Sequence, residues 1–225
     1  MSDPNDAPRQ PVEDVVASGI EARRGAASPW SEPLRELGAI DRAVYQAVAD
    51  TPTPRLDAAF RRLSTTANHS ALWLGIAAGM ALIGGSRGRR AARDGVVAIG
   101  VTSASVNLGI KPLARRSRPA RAEPSPFQDR YVPMPTSTSF PSGHAASAFA
   151  FAAAVSRELP QASVPIGLLA GAVAYSRVHT GVHYPGDVVI GSIIGGAAAA
   201  TVGASRRPRS SRDARSAHAA RSAGR

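Results

Sequence analysis

Three short blocks carry the residues that could do chemistry. They are Lys111, six residues, then Arg118-Pro119; Pro141-Ser142-Gly143-His144; and Ser176-Arg177, five residues, His183, three residues, Asp187. Lys111 is the lone lysine of the chain: of 27 Lys plus Arg, the other 26 are Arg. An ammonium is a compact point charge and a guanidinium a planar fork, so a lysine kept here suits a phosphate oxygen in a tight site. Codon bias in a high-GC genome accounts equally well for the lack of lysine elsewhere.

Lys111, Arg118 and Arg177 offer three cations to the oxygens of a transferring phosphoryl group. Lys111 and Arg118 are seven apart, about two turns, so both face one way if that stretch is helical, and Pro119 would end the helix. Ser142 can cap the Ala-rich run that follows it, which leaves N–H groups facing an anion, and Gly143 permits close approach. His183 and Asp187 are four apart. On a helix the carboxylate would hold one ring nitrogen as N–H and leave the other as a nucleophile. Singly, the blocks also fit a solvated basic rim, an ordinary cap with an incidental histidine, and a buried His beside a helix-start Asp. His179, four before His183, lacks the Glu of a His-Glu-x-x-His zinc helix and reads as a residue of the pocket rim, so no metal site is expected. His69 and His218 lie outside the blocks.

The elements that must position these blocks are apolar. Five stretches, 70–85, 95–110, 144–156, 162–176 and 187–204, are nearly free of charge and rich in Ala, Gly and Ser. Most are shorter than the roughly 20 residues of a comfortable bilayer span, and the mean hydropathy of −0.10 is low for a membrane protein. Small residues in charge-free runs are nevertheless how membrane helices pack. The expected architecture is all-α: a membrane-embedded bundle of about five spanning helices, preceded by N-terminal interfacial helices. One of these carries the stripe Leu56, Ala59, Phe60 and Leu63; the other carries Ile40, Val44 and Val48. Residues 1–30 are expected to be a disordered tail, 31–66 the interfacial helices, 67–204 the membrane domain, and 205–225 a disordered Arg-rich tail.

With no cysteine, disulfides and thiolate metal sites are excluded. The net charge of +11 points to an anionic partner. Because seven arginines crowd into residues 205–225, the excess reads first as a tail feature and not as a nucleic-acid footprint. Arg87, Arg89, Arg90 and Arg93, expected in a loop at 86–94, fall on the same side as that tail. By the positive-inside tendency this side is cytoplasmic and all three blocks are extracytoplasmic. The loop after Lys111 is itself basic, which the site's need for cations explains. Its prolines and aromatics between Arg118 and Ser142 suggest a lid over the substrate or a flexible linker.

Together and in this order, the three blocks resemble the type 2 phosphatidic acid phosphatase and vanadium haloperoxidase superfamily over roughly residues 56–204. The membrane lipid-phosphate phosphatases are the similar branch, the small decaprenylphosphoryl phosphoribose phosphatases among them. The resemblance implies that His183 forms a phosphohistidine, Asp187 orients it, and His144 protonates the leaving group. It further implies that Lys111, Arg118, Ser142, Gly143 and Arg177 bind phosphate, with no metal ion or organic cofactor. The expected function is therefore a multi-pass membrane phosphatase acting on a lipid or polyprenyl phosphate. A vanadate-dependent haloperoxidase shares the pocket but is soluble and usually larger. A binder of anionic polymers acting through the Arg-rich tail would lose its function with residues 205–225, while a phosphatase would keep its own.

Overall fold

The structure, a computed structural model, describes residues 31–121 and 127–205. The expected tails, at 1–30 and from residue 206 onward, lie outside the described residues, as do residues 122–126 of the proline-rich loop. Every regular element among the described residues is helical: α1 Ser31–Asp50, α2 Pro54–Thr66, α3 Ala71–Ile83, α4 Gly85–Ala104, α5 Gly143–Glu158, α6 Ser163–His179 and α7 Pro185–Ser205. The chain divides into two units, residues 1–42 and 43–225. Of the first, the described part is the start of α1, where Leu37 and Ile40 are exposed.

In the second unit α5 is the central helix. Ala145, Ala146, Ala148, Ala150, Phe151, Ala152, Ala154 and Val155 are all buried along it, and α4, α6 and α7 pack around it. Alanine on α5 and glycine on α7 make the closest approach possible: a Cβ at Gly191 would lie 2.5 Å from the Ser142 carbonyl oxygen, and Gly195 leaves no room for one beside Ala146. Phe151 fills the space over Gly95 and packs on Trp73 with ring centroids 5.4 Å apart.

The five apolar stretches all become helices, α3 to α7, but the structure corrects several expectations around them. Residues 86–94 are not a loop; they form the first half of α4. Gly88, Ala91, Ala92 and Gly95 are buried on one side of that helix while Arg87, Arg89, Arg90 and Arg93 stay out. The arginines therefore occupy the free face of an amphipathic helix, and Arg90 pairs with Glu158 at 3.0 Å. By length and composition one described helix, Pro185–Ser205, is a candidate to cross a membrane. Lys111 and Arg118 do not share a helix: α4 passes into a π turn, Ser105–Ile110, and residues 114–121 have no regular structure.

The inward face of α2 is polar. Leu56 and Ala59 of the expected apolar stripe are exposed, and Asp57 and Ser64 are buried instead. Asp57 Oδ1 accepts from Arg130 Nε at 3.1 Å and pairs with His179 Nε2 at 2.8 Å. Arg130, fully buried, also donates to the carbonyl oxygens of Val48, Ala49 and Thr51. A buried carboxylate is tolerated when its hydrogen bonds are made and its charge is met. His179 is thus a buried partner of Asp57 and not a rim residue.

Candidate active site

The third block is carried by the turn between α6 and α7. Arg177 lies in the last turn of α6, and its carbonyl accepts from the backbone N–H of Val182 and of His183, 3.1 and 3.2 Å away. Gly181 takes a positive φ of 69° in this turn, a conformation that costs glycine little. His183 lies in the turn and not on a helix, yet it still meets Asp187: Nδ1 is 3.5 Å from Oδ2. Ser139 Oγ bonds Asp187 Oδ2 and lies 3.5 Å from His183 Nδ1. Arg116 Nη1 donates to Asp187 Oδ1 at 2.8 Å and Tyr184 N donates to Oδ2 at 2.9 Å, so the carboxylate is fully engaged.

On the other side of the ring, Arg118 Nη1 stands 3.4 Å from His183 Nε2. Arginine can only donate, so Nε2 is the acceptor and the proton belongs on Nδ1, beside Asp187 and Ser139. Burial is the largest influence on His183 and pushes its pKa down to about 4; the bond to Asp187 pulls the other way, and the charges of Arg118 and Arg177 add to the fall. At neutral pH the ring is uncharged, with an unprotonated Nε2 beside an arginine.

The first block reaches the same place by a different path from the one its spacing suggests. Arg118 is fixed by carbonyl acceptors, Ser137 at 2.9 Å, Val182 at 2.7 Å and Thr138 at 3.2 Å. Its Nη2 also donates to Ser137 Oγ at 3.1 Å, and Lys111 Nζ to the same hydroxyl at 3.4 Å. The described part of the proline-rich loop therefore forms a wall of the site. Burial lowers the pKa of both cations; the Arg118 charge adds to this at Lys111, while at Arg118 the Asp187 charge opposes it. An anion placed between them would relieve both.

Ser142 caps α5, its Oγ accepting from Ala145 N at 3.4 Å, while its own N–H donates to the Asp187 carbonyl at 2.9 Å. That bond ties the second block to the third. A Cβ at Gly143 would stand 3.9 Å from Lys111 Nζ, which ties it to the first. His144 lies within electrostatic reach of Arg177, His183, Lys111 and Arg118. The structure thus brings together all eight residues singled out from the sequence: Lys111, Arg118, Ser142, Gly143, His144, Arg177, His183 and Asp187.

Four further residues were given no role from the sequence. Arg116 and Ser139 hold Asp187; Asn68 Oδ1 meets His144 Nε2 at 2.9 Å; and Ser64 takes Arg177 Nη1 on both its carbonyl, at 3.2 Å, and its hydroxyl. No spacing rule singles out Ser64 or Asn68, because both act across more than 70 residues of chain. Arg116 stood in view within a basic run, without a reason to prefer it to Arg115. Arg177 Nε remains buried without a hydrogen-bond partner, a donor available to an incoming oxyanion.

A model described as the PAP2 superfamily matches residues 91–209. The decaprenylphosphoryl-5-phosphoribose phosphatase of Mycolicibacterium smegmatis is 36% identical over 162 residues, which is 72% of this chain and 84% of that protein. Among solved structures, LpxE of Aquifex aeolicus superposes with a TM-score of 0.58 at 23% identity, over 71% of this chain and 92% of that one. A transmembrane PAP2 type phosphatidylglycerolphosphate phosphatase from Bacillus subtilis gives 0.57 at 22%, over 86% and 94%. These two share the fold.

Proposed function

The chain belongs to the PAP2 superfamily and is a hydrolase of phosphoric esters, and from that premise we propose that it is a membrane enzyme releasing phosphate from lipid or polyprenyl phosphates through a phosphohistidine on His183. One observation carries the mechanism: a neutral His183 whose Nδ1 faces Asp187 and whose Nε2 faces the cations. The Nε2 lone pair attacks phosphorus, and the bond from phosphorus to the leaving oxygen breaks with its electron pair going to that oxygen. His144, which takes up a proton as the substrate's negative charge enters among the cations, gives that proton to the leaving oxygen. Water then attacks the phosphohistidine; the N–P bond returns its pair to Nε2, and the water's proton passes to His144. Lys111, Arg118, Arg177 and the N–H groups at the start of α5 hold the equatorial oxygens. No step calls on a metal ion or a cofactor.

Membrane residence is supported by where the large apolar side chains are. The core is mostly alanine, while Leu82, Ile83, Leu108, Leu113, Val164 and Leu168 are each at least 70% exposed. Helices α3 to α7 are read as the membrane bundle, with the active site at its extracytoplasmic face and the α4 arginines at the cytoplasmic one. Rapid acid-free quenching during turnover should capture a phosphoenzyme in which 31P NMR shows an N–P bond, absent from His183→Ala. Wild-type turnover in His183→Ala, or loss of activity on adding a chelator, would refute the mechanism.

A further inference from the structure

Away from the candidate active site, a groove of about 520 Å³ runs between α3 and α4. Its bed is alanine: Ala77 and Ala92 are buried in it, and Ala78 and Ala81 continue it along α3. Side chains this short leave the space between two helices unfilled, where a close-packed interior would fill it. Leu74, Val96 and Val97, all exposed, line the part of the groove farthest along the chain from the α3–α4 turn. Arg89 and Arg93 line the part nearest that turn.

The groove is therefore cationic at one end and apolar at the other. Arg89 and Arg93 are four residues apart on α4, so their guanidiniums share a face of the helix. Arg93 Nε already holds Asp94 Oδ1 at 3.0 Å. Arg89 makes no hydrogen bond or ion pair among the described residues. From Arg89 to Val97 the helix rises about 12 Å. That is too short a seam for a partner helix, which needs about 30 Å to follow another across a bilayer. It suits a flexible hydrocarbon chain, which gains dispersion contacts along an unfilled trough. A guanidinium pairs with phosphate oxygens through two parallel N–H groups, and basic pockets between helices on the cytoplasmic side are suited to anionic headgroups.

We infer that this groove is a lipid site separate from the active site, holding one chain of an anionic phospholipid on the alanine bed and the phosphodiester of its headgroup on Arg89 and Arg93. The catalytic cation Lys111 lies beyond the opposite end of α4, past the π turn, so the lipid held here is a resident of the inner leaflet and not the molecule that is hydrolysed. The inference rests on the membrane reading given above and adds to it a bound component of the bilayer.

The probes are dioleoylphosphatidylglycerol, which is anionic, and dioleoylphosphatidylcholine, which has the same chains and no net charge. Native mass spectrometry of the purified full-length protein in detergent should show one molecule of the first bound at least about tenfold more tightly than the second, a modest return for charge-assisted bonds to two guanidiniums. The double variant Arg89→Gln, Arg93→Gln should lose that preference, while Ala78→Phe, which keeps both charges and fills the trough, should weaken the binding of both lipids. Glycerol 3-phosphate, which carries the charge without the chains, should not displace the bound lipid. Equal affinity for the two lipids, an undiminished preference in the double variant, or displacement by glycerol 3-phosphate would overturn the site, the second by placing the anionic lipid on the catalytic cations instead. Wild-type protein that stays monodisperse in buffer without detergent defeats the membrane reading and the site with it; detergent-dependent protein without the preference defeats the site alone.

Discussion

At the scale of the residue, the proposed nucleophile, His183, would set the pH range of the enzyme. Burial favours the neutral ring, so the nucleophile is available well below the ordinary histidine value of 6.5 and is lost only as pH falls through about 4. The acid limb of kcat/KM, which reports the free enzyme, should therefore lie near 4; a limb at 6.5 would mean that His183 is solvated. Lys111→Arg keeps the charge but puts a wide fork where Ser137 and Gly143 leave room for a point. A displacement of the bound phosphate by about 1 Å is expected to cost roughly a hundredfold in kcat, which steady-state kinetics would read directly. All eight residues proposed for the site were visible as types and spacings. The reason for the spacing was not: His183 and Asp187 meet across a turn, with Ser139 between them, because a helix that starts at Pro185 cannot include His183.

Among the elements, the contact between α5 and α7 governs the site from a distance. Gly191→Ala would place a methyl 2.5 Å from the Ser142 carbonyl, so the start of α5, with Ser142, Gly143 and His144, has to move. Activity should fall by at least tenfold while helical content in circular dichroism stays near wild type; full activity would show that α5 can shift freely. Apolar runs made the five bundle helices legible. The α4 arginines misled because charge was taken for loop, when every third or fourth residue among them is small and packed. The inward face of α2 was illegible for a deeper reason: Asp57 and Ser64 are buried because Arg130, His179 and Arg177 meet them, and a partner more than 70 residues away leaves no local trace.

For the whole molecule, the proposed membrane arrangement is oriented by charge, with the α4 arginines on the cytoplasmic side and the candidate site on the other. The chain has no cysteine, so Ser86→Cys and Ser117→Cys, both at exposed positions, report position cleanly. On intact cells an impermeant thiol reagent should label residue 117 and spare residue 86; equal labelling would refute the spanning arrangement, and the reverse pattern would turn the active site inward. Arg177 shows what this architecture costs the protein. Its guanidinium is buried near the charges of Arg118 and Arg121, with Nε unpaired, and Ser64 would keep Thr180 Oγ1 at 3.3 Å if the arginine were gone. Endurance and activity are therefore opposed at this position: Arg177→Met should melt at a higher temperature than the wild type in detergent while turning over no substrate, because the native chain tolerates an uncomfortable resting state for the sake of the moment when a phosphate fills it.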